Sequence, residues 1–235
     1  MESKDVTKEI NKIIRPLLKE KGFNFYTGRT YWRQQSDRID ILNFQSFNSY
    51  NASVMGCTTF SFCVNLSTLL NYVPSDTTIK EKTEIKTPSE AQGHFRSRVL
   101  KGIKQIEFQG KDLWYIDENG RNLKEVILDC KSQIQEKGLS WFNKFDTKEK
   151  VFQILNEDEM DMEGTWGFGN KNSPNRNRLL AYTAIELGSY NFAIEKLKFI
   201  SEFYQEQYTK IKWDYYLNIV IETEKEIELI IKNYT

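Results

Sequence analysis

The chain has 235 residues, with 33 basic and 33 acidic side chains and a single histidine. That length suits one large domain, or a domain with a helical extension, and buries a sizeable core. An apolar fraction of 39% with 14% aromatics excludes a disordered chain, and a net charge of zero argues against a dedicated nucleic-acid binder.

From Asp5 to Lys21, Val6, Ile10, Ile13, Ile14, Leu17 and Leu18 recur at helical spacing, which predicts an amphipathic helix laid on a core. Pro16 predicts a break into two pieces, and Gly22 stands where a C-terminal cap belongs. Period two follows in Phe23, Phe25, Tyr31, Trp32, Ile39, Ile41, Phe44 and Phe47, with turn signals at Thr27-Gly28-Arg29 and Gln35-Ser36-Asp37. A third strand is expected from Thr58 to Leu66, its Phe60, Phe62, Val64 and Leu66 alternating with Thr59, Ser61, Cys63 and Asn65. Three consecutive strands with short turns imply an antiparallel meander. Residues 74–93 read as a long loop, of the kind that is often functional.

Helical periodicity resumes from Leu123 to Gln135, and Lys148 to Leu155 forms a short helix. An acidic and then Gly/Asn-rich stretch, 156–177, leads to helices near 178–187, 190–207 and 213–232. Ala181, Ala184, Gly188, Ala193 and Leu197 resemble one tetratricopeptide-type hairpin, although a solenoid needs several stacked copies. The fold class read from this order is α+β: an N-terminal helix on an antiparallel β-sheet of three or more strands, followed by a mainly helical C-terminal part. Residues 1–145 form the α+β domain, and 146–235 a helical extension packed on it.

No apolar run reaches the ~18 residues of a spanning helix, and the Met-Glu-Ser-Lys-Asp start lacks a signal peptide's apolar centre. A cytoplasmic location with no membrane partner is therefore expected. Cys57, Cys63 and Cys130 are odd in number and lack metal-like spacing, so reduced thiols are expected, with no metal and no cofactor.

The order of features in the first two thirds resembles a known family. A helix ends in Leu17-Leu18 before Gly22-Phe23. Strands follow at Thr30-Tyr31-Trp32-Arg33, at Ile39 to Gln45 and at Phe60 to Leu66. His94-Phe95-Arg96-Ser97-Arg98 precedes Trp114-Tyr115 and a helix running to Gly138-Leu139-Ser140-Trp141-Phe142. Over residues 5–145 this is similar to the bacterial family catalogued as domain of unknown function 4304, departing from it where Trp114-Tyr115 replaces a double tryptophan. The resemblance implies no activity. It implies a stand-alone cytosolic bacterial protein, some members being similar to immunity and defence-associated proteins.

With His94 alone, every site needing two histidines is excluded, and a Ser-His-Asp or Cys-His arrangement would have to use it. The Gly164–Gly169 loop lacks the Lys-Ser/Thr that opens a helix in a phosphate-binding loop, while Ser173-Pro174 reads as a helix start. The acidic run Glu157, Asp158, Glu159 and Asp161 fails as a calcium loop because Met160 and Met162 fall at ligand positions, and it reads as a solvated acidic loop or as a patch for a basic partner. The ligand-binding candidates are Arg33, Gln45, His94, Arg96, Arg98 and Trp114. In an extended segment His94, Arg96 and Arg98 share a face, and an Arg/His face beside an aromatic ring suits a carboxylate, a phosphate or a planar group. The competing reading pairs these arginines with Asp37, Asp40 or backbone carbonyls.

The expected function is a non-catalytic, cytosolic protein-interaction factor of the immunity or defence-associated kind, with a protein partner. The alternative is a small-molecule or nucleotide-processing enzyme using the His94/Arg96/Arg98 face. Nucleic-acid binding through Lys80, Lys82, Lys86, Arg96, Arg98, Lys101 and Lys104 ranks last, because Glu81, Glu84 and Glu90 interrupt that run.

Overall fold

The computed structural model describes the chain except residues 76, 83, 158–163 and 235. The fold is α+β, with an N-terminal helix, a five-stranded antiparallel sheet and a mainly helical C-terminal part. The chain forms two compact units. One holds Met1–Asn71, Ser75–Asn143 and residues 164–165; the other holds Tyr72–Pro74, residues 144–157 and residues 166–234. No helix among the described residues is long and apolar enough to cross a membrane.

In the first unit the N-terminal helix is two pieces, α1 (Ser3–Ile13) and α2 (Arg15–Glu20), broken where Pro16 lacks an N–H to continue the ladder. Gly22, at φ +87°, turns the chain out of α2. Strands β1 (Phe25–Thr27), β2 (Thr30–Gln34) and β3 (Arg38–Ser46) follow as a meander. The connection from β3 to β4 (Phe62–Leu70) is not the short turn expected. It carries a helix, α3 (Ser49–Met55), started by the Asn48 side chain accepting from Asn51 N at 2.7 Å and ended by Gly56 in the left-handed region. The strand itself begins later than its alternation implies. Thr58 and Ser61 close a turn, and Thr58 Oγ1 donates to the Ile116 carbonyl at 2.6 Å. Residues 71–93 hold a small hairpin, β5 (Glu81–Lys82) with β6 (Ile85–Lys86), and then β7 (Phe95–Val99) pairs with β4. The sheet order is β1-β2-β3-β4-β7.

Register and alternation sort the side chains onto two faces. The inner face carries Tyr31, Leu42, Phe44, Phe62, Val64, Leu66, Phe95 and Val99, all buried. Val6, Ile10, Ile14 and Leu18 of the N-terminal helices are fully buried against this core, and Tyr31 Oη donates to Asn11 Oδ1 at 2.7 Å. The helix α4 (Leu123–Gln133) contributes Val126, Ile127 and Cys130, continues through a π-helical turn at Ile134–Gly138, and gives way to the short α5 (Leu139–Trp141). Gly138 permits the close approach there, since a Cβ would stand 3.1 Å from Val99 Cγ2.

The outer face is divided. Trp32, Ile39, Ile41 and Leu69 make a buried apolar cluster with Ile79 packed on it, and Trp32 Nε1 donates to the Pro88 carbonyl at 2.7 Å. The segment read as a long loop is thus a strap laid over half of this face.

The second unit packs α6 (Lys148–Glu157), α7 (Pro174–Glu186), α8 (Tyr190–Ile211) and α9 (Asp214–Tyr234), each against the next. As its sequence implies, Ser173 caps α7, accepting from Arg176 N at 3.2 Å with Pro174 in the first turn. Fully buried Ala181, Ala184 and Ala193 let α7 and α8 approach closely around Gly188 (φ +72°). Arg176 is also fully buried. It donates to the Leu155 and Ile154 carbonyls at 2.6 and 3.1 Å, satisfying acceptors at the end of α6, and to the Gly169 carbonyl at 3.3 Å.

Candidate functional site

The strap leaves the other half of the outer face polar. Pairing across β3, β4 and β7 aligns Asn43 with Asn65 and Arg98, and the next rows hold Gln45 beside Cys63 and Ser67 beside Arg96. Period two dictates this placement. Every second residue of strands whose other faces are core lies here, and these are amides, a thiol, a hydroxyl and two guanidiniums.

The side chains are partly cross-linked. Asn43 Nδ2 donates to Thr30 Oγ1 at 2.8 Å. Asn65 Nδ2 donates to Gln45 Oε1 at 2.8 Å and to Glu90 Oε1, from the end of the strap, at 3.3 Å. Gly93 lies so close over Ser67 that a Cβ there would stand 1.6 Å from Ser67 Oγ. Arg98 is half-exposed and paired with Asp112. Burial pushes the Cys63 thiol up to about 12; Asp112 adds to the shift and Arg98 opposes it. At neutral pH that thiol is protonated and a poor nucleophile.

Arg96 differs from its neighbours. Its Nε is buried and meets no hydrogen-bond partner, and among the described residues no carboxylate pairs with its guanidinium. Ser67 Oγ, directly across in register, is likewise buried and unpartnered.

The sequence-predicted group is only partly assembled. Gln45, Arg96 and Arg98 share the outer face. Arg33 does not join them, because it points into the inner face. There it meets Asp40 through Nε at 2.9 Å and Nη2 at 2.8 Å, and sits over the Phe23 and Phe142 rings. Asp40 is fully buried and also accepts from Arg38 at 3.3 Å and Thr68 at 3.0 Å; burial raises its pKa, and the two guanidiniums pull it back. Trp114 is fully buried, stacked on Phe62 at 5.7 Å, with Nε1 donating to Asp129 Oδ2 at 2.8 Å. His94 extends the β4–β7 ladder by one bond, its N donating to the Thr68 carbonyl at 2.9 Å, and its Nδ1 accepts from Leu70 N at 3.1 Å. Of the acidic patch, Glu157 is exposed at the end of α6, while Asp158, Glu159 and Asp161 lie outside the described residues. No cluster of potential metal ligands exists among the described residues.

The family model described as Domain of unknown function (DUF4304) matches residues 14–144, which takes in the whole sheet and both of its faces. The chain belongs to the domain of unknown function 4304 family. No curated protein and no solved structure matches it. Within this family member, the residues that sequence reasoning passed over are Asn43, Asn65, Ser67, Glu90 and Asp112. Asn65 was visible as the polar side of a strand, but its alignment with Asn43 and Arg98 depends on register, which a strand's own residues do not reveal.

Proposed function

We propose that this domain of unknown function 4304 protein is a non-catalytic protein-interaction factor that holds an acidic surface of a partner protein on the polar half of the outer sheet face. The observation that carries the reading is Arg96, a cation with a buried, unpartnered Nε, on a face whose other arginine is already neutralised. Leaving a buried donor unsatisfied costs ~1–3 kcal/mol. An arginine kept in that state is better suited to an intermolecular acceptor than to holding the fold together. Exposed Gln45 and half-buried Asn43 supply amides farther along the same face.

A factor that captures and neutralises a partner, as immunity and defence-associated proteins do, suits this chemistry, and we place it in the bacterial cytoplasm. Three free cysteines, two of them buried, agree with a reducing compartment.

The test is affinity capture from native extract with the full chain, beside a Gln45→Ala/Arg98→Ala variant of the exposed face. The reading expects one stoichiometric partner, its acidic surface protected on binding, retained by the native chain and lost by the variant. A partner that stays on the variant, or no stoichiometric partner, overturns it.

A further inference from the structure

We propose that Arg96 forms the seat for a single carboxylate, supplied by an acidic segment of the partner, which docks beside Ser67 and Asn65. The proposal rests on the outer face being the interaction surface and names the chemistry at its centre.

Three features converge on this group. The first is geometry. Arg96 is part-exposed and no carboxylate among the described residues pairs with its guanidinium, so an incoming carboxylate reaches its terminal nitrogens while the buried Nε has no acceptor from the fold. The second is the neighbouring hydroxyl. Ser67 Oγ is fully buried and unpartnered, and it belongs to the same register pair. Gly93 closes over that hydroxyl, so it lies beneath the seat, and the unmet pair marks where Arg96 has no acceptor from its own fold.

The third feature is charge. Arg98 is neutralised by Asp112, and Glu90 stands on Asn65, one register row (roughly 7 Å) away. Among the described residues Arg96 is therefore the one cation of the face whose charge is unspent, with a carboxylate nearby. A monoanion balances that charge. A dianion such as inorganic phosphate meets repulsion from Glu90 with only one guanidinium to offset it. The row from Asn43 through Asn65 to Arg98 then offers amides and a second guanidinium to the backbone of the segment that carries the carboxylate.

The experiment follows the arginine Nε–H signals of the ¹⁵N-labelled full chain, with Arg96 assigned by its loss in Arg96→Gln. The probes are an end-blocked tetraglutamate peptide, the matched tetraglutamine peptide and inorganic phosphate. The expected result is a saturable shift of the Arg96 Nε–H with tetraglutamate and none with tetraglutamine. Phosphate should need at least about tenfold higher concentration. In Arg96→Gln, shown to be folded by its urea midpoint, tetraglutamate binding read from the Gln45 and Asn43 amides should weaken at least about tenfold. An unmoved Arg96 signal, an equal response to tetraglutamine, or a stronger response to phosphate overturns the carboxylate seat. If the seat fails while Gln45→Ala/Arg98→Ala still releases the captured partner, the interaction face survives. If both fail, both readings fall.

Discussion

Ser67 and Arg96 stand directly opposite each other on neighbouring strands, and each carries a buried polar atom that meets no hydrogen-bond partner. Elsewhere on the sheet the arginines are spent internally, Arg33 and Arg38 on Asp40 and Arg98 on Asp112. The contrast separates groups that hold the fold from a group that the fold leaves open.

Ser67→Ala removes a buried hydroxyl that bonds to nothing, so its stability in urea should stay level or rise by up to about 1 kcal/mol. Gly93→Ala should cost about 1–3 kcal/mol. Gly93 has an ordinary extended backbone (φ −71°), so the cost comes from the clash with Ser67 Oγ. In the Ser67→Ala background the Oγ clash is gone, leaving the β-carbon of residue 67 at 3.0 Å and Thr68 N at 3.3 Å, and the Gly93→Ala cost should fall by at least half in a double-mutant cycle. Additive costs would contradict the contact.

Asp40 joins two arginines and a threonine on the inner face with no exposure. Asp40→Asn leaves largely buried Arg33 without its carboxylate and Arg38 with only Asp37, at 3.4 Å, and should cost about 3–5 kcal/mol by urea unfolding. A loss below about 1 kcal/mol would mean that the network is solvated.

Tyr31 is fully buried, and burial pushes its phenol from 10.0 up to about 12. A raised pKa means that the folded state holds the proton more tightly. The stability it contributes is complete below pH 10 and is lost as pH rises through about 12. Across that window the native chain should lose about 2–3 kcal/mol more than Tyr31→Phe, which carries the remaining tyrosines but not this one. Parallel pH profiles would show that Tyr31 ionises freely.

Thiol labelling at pH 8 should modify Cys57 first, since it is the least buried of the three. Cys63 and Cys130 have pKa values raised mainly by burial and should react only after unfolding in urea. Labelling of Cys130 in the folded protein, read by peptide mass mapping, would contradict the packing of α4.

The helices were legible because their signals are local. The 3.6 period of α1 and α4, the break at Pro16, the Ser173-Pro174 start and the alanine spacing of α7 and α8 each declare themselves within a few residues. The inner strand face was legible for the same reason, as Phe62, Val64 and Leu66 alternate. Three things were not. The helix α3 inside the β3–β4 connection depends on one Asn48 cap and leaves Tyr50 and Val54 exposed, so it has no apolar stripe to reveal it. The strap's apolar anchor is a single residue, Ile79, which carries no period. The division of the arginines between the two faces follows from register: Arg33 opposes Asp40, while Arg96 opposes Ser67, and pairing across strands is invisible in the sequence of either strand alone.

The central claim is that Arg96 is kept for an intermolecular acceptor and contributes little to the fold. The most direct measurement is equilibrium urea unfolding of Arg96→Met beside Arg33→Met. The account predicts that Arg96→Met is as stable as the native chain, or up to about 1 kcal/mol more stable, because an unsatisfied buried donor has been removed. It predicts that Arg33→Met loses at least about 2 kcal/mol, because Asp40 loses its closest guanidinium. A loss above about 1.5 kcal/mol in Arg96→Met would make Arg96 a structural residue and contradict the account.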